Sequence, residues 1–223
     1  MKLFVVLPAF NEEKSIGSVI KDLKRNNYRN IIVVDDGSVD KTSEIAKKEG
    51  VQVYKHLINR GLGGALGTGI KAAVQNGAEI VVTIDADGQH DISDIKKAIK
   101  PIQDGDADVV IGTRLADPKG MPIIRKIGNW GFNCITYLLF NIWTTDSQSG
   151  FRVFSKDAAK NIRIKTNRME VSSEIINEIK RNRLRFTEVP IKVIYTDYSL
   201  QHGQSSLNAF KILVKLMFKK IMK

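Results

Sequence analysis

"VVTIDADGQHD" (residues 81–91) sets a run of Val, Thr and Ile directly against two carboxylates, Asp85 and Asp87, followed by a glycine, an amide and a histidine. Such a run, lacking a polar face, reads as a strand covered on both sides. Acids at the end of a strand have two uses. They turn the chain and cap the next helix, or they meet a cation or a phosphate. An EF-hand calcium loop requires glycine at its sixth position, and Gly88 stands fourth from Asp85, which disfavours that loop. In the metal reading one carboxylate faces a hard divalent ion, Mg²⁺ or Mn²⁺, shared with a diphosphate, while its partner orders the loop or meets a ribose or phosphate. Gln89 adds a neutral oxygen.

Outward from this stretch, strand-like runs at 2–9, 30–36, 51–56, 79–86 and 107–114 alternate with helical ones. The βαβα order and near-continuous Val/Ile content predict an α/β fold, a mainly parallel twisted sheet flanked by helices. Asn11 is placed to cap the first helix; Ser38 or Asp40 caps the second and Gly50 stops it. Ligands of such sheets bind beyond the carboxyl ends of the strands. Asp35 and Asp36 end one strand there, as Asp85 and Asp87 end another. Past residue 115 the alternation loosens into a loop over 116–126, an apolar stretch at 127–145, "DSQSGFRVFS" (146–155), a helix around 169–183 and a last strand within 185–197. The expected organisation is a catalytic domain at 1–198, with a donor half to about 115 and an acceptor half from about 116, and a basic amphipathic C-terminal helix at 199–223.

The balance of 35 Lys+Arg against 24 Asp+Glu, a net charge of +11, points to anionic partners: nucleic acid, phosphorylated small molecules or an acidic membrane surface. A single cysteine, Cys134, excludes an internal disulfide framework and a cysteine-rich metal site, in keeping with a reducing compartment. The N-terminus reads as a strand rather than a signal peptide, so a cytoplasmic protein is expected. Residues 127–145 carry no charge and approach bilayer-spanning length, but three asparagines and three threonines favour an amphipathic helix in or near the membrane interface. The stretch 199–223 has no acid, and Lys211, Lys215 and Lys219 fall opposite most of its apolar residues, the pattern of a helix lying on anionic lipid. Together these predict a peripheral protein on the cytoplasmic face of a membrane; a small membrane-anchoring protein is a candidate partner that these features neither require nor exclude.

The glycine-rich "NRGLGGALGTGIKAA" (59–73) fails both phosphate-loop tests. Leu66 occupies the place of the third fingerprint glycine, and Ile70 separates Gly69 from Lys71. A loop feeding a helix N-terminus remains, serving close packing or substrate approach. His90 reads as a cap for a helix beginning near Ile92; His56 and His202 have no metal-site spacing. A non-catalytic nucleic-acid module would want stacking aromatics, and these are only 7% of the chain while the acids cluster at strand ends.

In order over residues 3–195, "VVLPAFNEE", "IIVVDDGSVDKT", "NRGLGGALGTGI", "DADGQHD", "VVIGTR", "DSQSGFRVF" and "EVPIKVIY" resemble glycosyltransferase family 2, and within it the dolichyl-phosphate mannose synthase-like branch. The resemblance implies a GT-A type fold, a nucleotide-diphosphate sugar donor, a divalent metal, inversion at the anomeric carbon and a polyprenyl phosphate acceptor. By matching position it implies that Pro8, Phe10 and Glu12 contact the nucleotide, Val34 and Asp36 flank the base, Asp85 and Ala86 meet the ribose or diphosphate region, and Asp87 with Gln89 holds the metal. Phe10 stands where that branch often has tyrosine. Arg114, Arg125 and Arg152 are candidate acceptor-phosphate ligands, since guanidinium matches phosphate oxygens bidentately, with a buried structural partner for Asp146 as the equal alternative for Arg152, and Arg114 joins Asp87 as a catalytic candidate. Where the branch often shows an arginine after "VPI", this chain has none, and Lys192 or His202 is the candidate stand-in. A polyprenyl phosphate is largely dianionic at neutral pH and needs no general base. The alternative acceptor, a saccharide hydroxyl in surface-polysaccharide synthesis, would need one, with Asp146, Glu170 and Glu174 as candidates.

Overall fold

The computed structural model describes residues 1–114 and 123–194, with side chains over 1–114 and 130–194. Its strands are β1 (Leu3–Ala9), β2 (Ile31–Asp35), β3 (Gln52–Lys55), β4 (Ile80–Thr83), β5 (Val109–Thr113), β6 (Arg152–Ser155) and β7 (Phe186–Pro190). The helices are α1 (Ile16–Arg25), α2 (Thr42–Lys48), α3 (Leu62–Gln75), α4 (Asp94–Gln103), α5 (Ile123–Phe140), α6 (Lys156–Asn161) and α7 (Val171–Arg181). One seven-stranded sheet runs β3-β2-β1-β4-β6-β5-β7. The expected mainly parallel α/β sheet is present, and β6 alone among these strands runs antiparallel, between β4 and β5.

The continuous apolar runs are explained by two cores, one on each face. Alternate residues of β1 point opposite ways. Val5 and Leu7 join Ile16, Ile20 and Leu23 of α1 and Ile95 of α4. Phe4 and Val6 join Leu66 and Ile70 of α3 and Ile175 and Ile179 of α7. With both faces covered, β2, β4 and β5 are buried throughout their length. The chain leaves β1 for β2 and β3, then returns to place β4 on the other side of β1. That reversal opens a crevice beyond the carboxyl ends of β1 and β4, where open α/β sheets bind ligands.

Helix starts differ from the sequence expectation. Asn11 does not cap α1, which begins at Ile16; it adopts a left-handed conformation (φ 55°). Its N–H donates to Ser38 Oγ at 2.9 Å and its Oδ1 accepts from Val39 N–H at 3.1 Å, tying the loop after β1 to the loop after β2. Asp40 Oδ1 does accept from Thr42 N–H at 2.9 Å at the head of α2, and Gly50 (φ 68°) ends that helix as expected. No helix among the described residues is long and apolar enough to cross a membrane. The expected helix at 199–223, the end of the last predicted strand and His202 lie outside the described residues.

Close packing accounts for the glycine-rich segment. Gly61 (φ 87°) and Gly63 press against the backbone of Thr166, Asn167 and Arg168, and Gly69 lets α3 settle onto Val6 and Val34. A methyl group at residue 63 would overlap the Thr166 carbonyl oxygen. Gly63→Ala is therefore expected to lower unfolding stability by about 1–3 kcal/mol, despite alanine's better helix propensity. Urea denaturation measures this.

Candidate active site

Three carboxylates converge at the crevice. Glu12 follows β1, and Asp85 and Asp87 follow β4, so the sheet order brings them together across more than seventy residues of chain. Their electrostatics report the proximity. Glu12 is held above the ordinary carboxylate range, chiefly by burial, with Asp87, Asp85 and Asp40 adding to the rise and a hydrogen bond from Ser15 opposing it. Asp87 is likewise raised, by burial first and by Asp85 next, against hydrogen bonds from Gln89 and the neighbouring His90. Burial would raise Asp85 too, but His90, Arg114 and Arg152 outweigh it and hold this carboxylate ionised. The crevice thus contains acids whose mutual repulsion their neighbours only partly offset.

Asp85 rests on a seat made for it. Its carboxylate lies against Gly150, just ahead of β6, where any Cβ would overlap it. Thr83 Oγ1 donates to the Gly150 carbonyl at 3.0 Å and fixes that approach. His90 does not cap a helix: α4 begins at Asp94, and the His90 ring is buried. Its Nε2 lies 3.5 Å from Asp85 Oδ2, and its ring meets Phe151 edge-on at 5.6 Å. Asp87 turns its own loop, accepting from the Gln89 backbone N–H at 3.0 Å and from the Gln89 side-chain amide. The turn use of this acid pair is observed, and the bonds that order the loop leave Asp87 within the electrostatic reach of Asp85 and Glu12.

The other expected residues divide. Pro8 and Val34 are paired between β1 and β2; Phe10 is 46% exposed at the mouth; Ala86 is buried. Asp36 is 3% exposed and fully engaged: His56 Nδ1 lies 2.6 Å from Oδ1, Arg60 N–H donates to Oδ1 at 3.0 Å, and Gly61 N–H donates to Oδ2 at 2.6 Å. His56 Nε2 continues to Thr68 Oγ1 at 2.9 Å. Asp36 therefore anchors the segment that leads into α3. Arg114 places Nε and Nη2 on the two oxygens of buried Asp146, both at 2.7 Å. Its charge stands beside Asp85 while this fork is committed to Asp146.

Arg152, expected at an acceptor phosphate, is only 1% exposed; one nitrogen donates to the Ser147 carbonyl at 3.2 Å, while Nε and Nη1 make no hydrogen bond. Burial, offset by Asp85 and Asp146, pushes its pKa down to about 10. It is buried within the electrostatic reach of Asp85 and Asp146. Arg125 lies in the first turn of α5, and its side chain is outside the described residues. Lys192 is exposed; its backbone N–H donates to Asp94 Oδ2 at 2.6 Å, and Ile194 N–H donates to the Gln89 carbonyl at 2.8 Å. The chain after β7 is thereby laid along the acidic loop.

Among the described residues no group of three or more His, Cys, Asp and Glu side chains is arranged to hold a metal ion by itself. Surplus carboxylate charge without a full protein shell suits a hard cation that takes its remaining ligands from substrate phosphates and water. Asp87 and the Gln89 oxygen are the candidate donors toward such an ion.

The likeness to solved structures extends over nearly the whole chain. Glucosyl-3-phosphoglycerate synthase from Mycobacterium tuberculosis, in a complex with Mn²⁺, UDP and glucosyl-3-phosphoglycerate, superposes with a TM-score of 0.73 at 20% identity, covering 97% of this chain and 77% of that one. At that identity the likeness establishes a GT-A type fold. Sequence relatives are nearer. A protein named UDP-N-acetylglucosamine–dolichyl-phosphate N-acetylglucosaminyltransferase from Methanococcus voltae is 42% identical over 98% of this chain and 96% of its own. A dolichyl-phosphate hexose transferase from Haloferax volcanii is 30% identical over 93% of this chain and 87% of its own. The model of glycosyl transferase family 2 matches residues 4–163, from the first core strand through the acidic loop to the end of α6. A sequence that fills this model over most of its length and folds as its members do belongs to glycosyl transferase family 2, and the protein is a glycosyltransferase.

Proposed function

We propose that the enzyme moves a sugar from a nucleotide-diphosphate donor to a polyprenyl phosphate, with inversion at the anomeric carbon, at the cytoplasmic surface of a membrane. The observation that carries this reading is the convergence of Glu12, Asp85 and Asp87 at the crevice between β1 and β4, with raised Glu12 and Asp87 awaiting a positive partner. The donor half, 1–115, would supply the nucleotide-sugar subsite through Pro8, Phe10, Glu12, Val34 and Ala86, with Asp36 fixing its rim. The acceptor half, 116–198, would receive the phosphate, with Arg125 as a candidate ligand.

A bound Mg²⁺ or Mn²⁺ would supply charge neutralisation for the departing nucleotide diphosphate. Asp87 and Gln89 would hold that ion. Asp85, kept ionised by His90, Arg114 and Arg152, would orient the ribose or diphosphate region, and the two arginines would add positive field from below. The acceptor choice has its own support. A saccharide hydroxyl would need a general base, yet Asp146 is bound by Arg114, Glu170 is buried at the head of α7, and Glu174 accepts from Lys165 N–H, Thr166 N–H and the Thr166 hydroxyl. A dianionic phosphate attacks without one. The names of the Methanococcus and Haloferax relatives favour the same acceptor.

Incubation with radiolabelled nucleotide sugars and a membrane lipid extract tests the reading. Label is expected in an acid-labile lipid fraction. Label appearing only in water-soluble glycan would replace the proposed acceptor with a saccharide.

A further inference from the structure

The strap between α6 and α7 is docked by its backbone, which leaves its cations over. Glu174 of α7 accepts from Lys165 N–H at 3.0 Å and Thr166 N–H at 2.9 Å, and Glu178 accepts from Arg163 N–H at 3.0 Å. The carboxylates nearest the strap are thus engaged by backbone donors, while the side chains of Arg163 and Lys165 stand exposed. Facing them across a groove of about 550 Å³ are Arg60, at the head of α3, and Lys71 within that helix, with Lys160 of α6 completing the rim; all three are exposed. The strap runs back along α3, Thr166 against Gly63 and Ile164 against Gly67. Gly64 lets Arg60 fold along the helix, since a methyl at residue 64 would stand 2.7 Å from Arg60 Cβ. Among the described residues no carboxylate or aromatic side chain lines this groove, and none of its cationic side chains is paired with an acid.

We propose that this groove is a second anion site, apart from the crevice, that takes a short linear polyphosphate. Like charges set round a concave wall reinforce one another's field and draw in an anion. The groove is elongated: from Gly63 to Val74 its α3 wall is roughly 16 Å long at the helical rise. A nucleobase would want an aromatic platform, which the lining lacks. An extended acidic peptide would want main-chain partners, and the N–H groups of Ile162, Arg163, Lys165 and Thr166 are already bonded within the chain. A chain of phosphates carries charge on every unit and is held by guanidinium and ammonium groups alone. A net charge of +11 disfavours a second copy of this protein as the occupant. Glu12, Asp85 and Asp87 do not line the groove, so this site goes beyond the donor and acceptor readings and rests on neither.

Calorimetric titration of the full-length protein with inorganic tripolyphosphate, in metal-free buffer at low salt, tests the site. One binding event per chain is expected, weakening as NaCl is added. Lys71→Gln/Arg163→Gln should weaken it about tenfold, and Lys160→Gln/Lys165→Gln, which removes other cations of the same rim, should do the same. Lys96→Gln/Lys100→Gln removes equal charge from α4, on the opposite face of the sheet, and should leave affinity within about twofold of wild type. Urea midpoints of all four proteins should agree, because every altered side chain is exposed. Absence of binding by wild type would overturn the proposal. Equal weakening in the α3 and α4 variants would overturn it too, by showing diffuse attraction to net charge. Undiminished binding in both groove variants would place the anion in the crevice instead. Hexaglutamate binding more tightly than tripolyphosphate would give the groove to an acidic protein segment and reject the phosphate reading. None of these measurements requires donor, metal or acceptor, so a failure here leaves the proposed reaction untouched, and a failure of that reaction leaves the groove untouched.

Discussion

Asp87→Ala is expected to abolish the metal-dependent stabilisation of the protein by nucleotide diphosphates and to lower kcat by at least about 10³-fold, the scale on which charge stabilisation of a leaving group acts. The expectation comes from the geometry of the acidic loop. Asp87 meets the charges of Asp85 and Glu12, and its chief local partner is Gln89. Removing it would delete the proposed donor for a cation. Folding should suffer little, because relief of like-charge repulsion offsets the lost turn bonds. Asp87→Asn, which keeps the side-chain shape, should be at least as stable as wild type in urea and equally inactive. A thermal-shift panel with and without Mn²⁺ decides the matter: equal shifts in wild type and Asp87→Ala would refute the ligand role, and a broad loss of stability would reduce Asp87 to a turn residue.

Gly150→Ala is expected to cost about 10²-fold in kcat, comparable to other small displacements of a reacting group, although residue 150 offers no functional group. Its Cα bears the Asp85 carboxylate, and a methyl there overlaps both carboxylate oxygens. Something must shift. Thr83 and Phe151 hold the glycine within the sheet, so the freer Asp85 side chain is the group that moves. Overpacking of this kind should lower stability by only about 1–3 kcal/mol. A double-mutant cycle isolates the effect. If the two act through one contact, Gly150→Ala should add little to Asp85→Ala. Independent, fully additive losses would mean that the glycine serves only the backbone.

Much of this was legible in the sequence for a physical reason. Strands sealed on both faces must be apolar throughout, so the Val/Ile runs disclosed a parallel sheet, and acids at their carboxyl ends marked its ligand-binding edge. What stayed hidden depends on which strand neighbours which. That Asp36 would spend its oxygens on His56, Arg60 and Gly61, that Arg114 would fork onto Asp146, and that His90 would turn toward Asp85 instead of capping α4 all follow from contacts assembled across the sheet. Gly150 was visible inside "DSQSGFRVF" as part of a motif. Its purpose required the position of Asp85. Capping failed at Asn11 because the loop after β1 is tied to a neighbouring loop rather than to its own helix.

The reversed direction of β6 gives the chain a modular plan. β5 ends at Thr113, and β6 begins at Arg152, which pairs with Ile111 on one side and Thr83 on the other. The intervening excursion, including α5, thus departs and re-enters at a single edge of the sheet, beside the acidic loop. Such a cassette can change length or composition without altering the register of any core strand. Exchanging residues 114–151 between homologues should therefore transplant acceptor preference while sugar-nucleotide selection stays with the host scaffold.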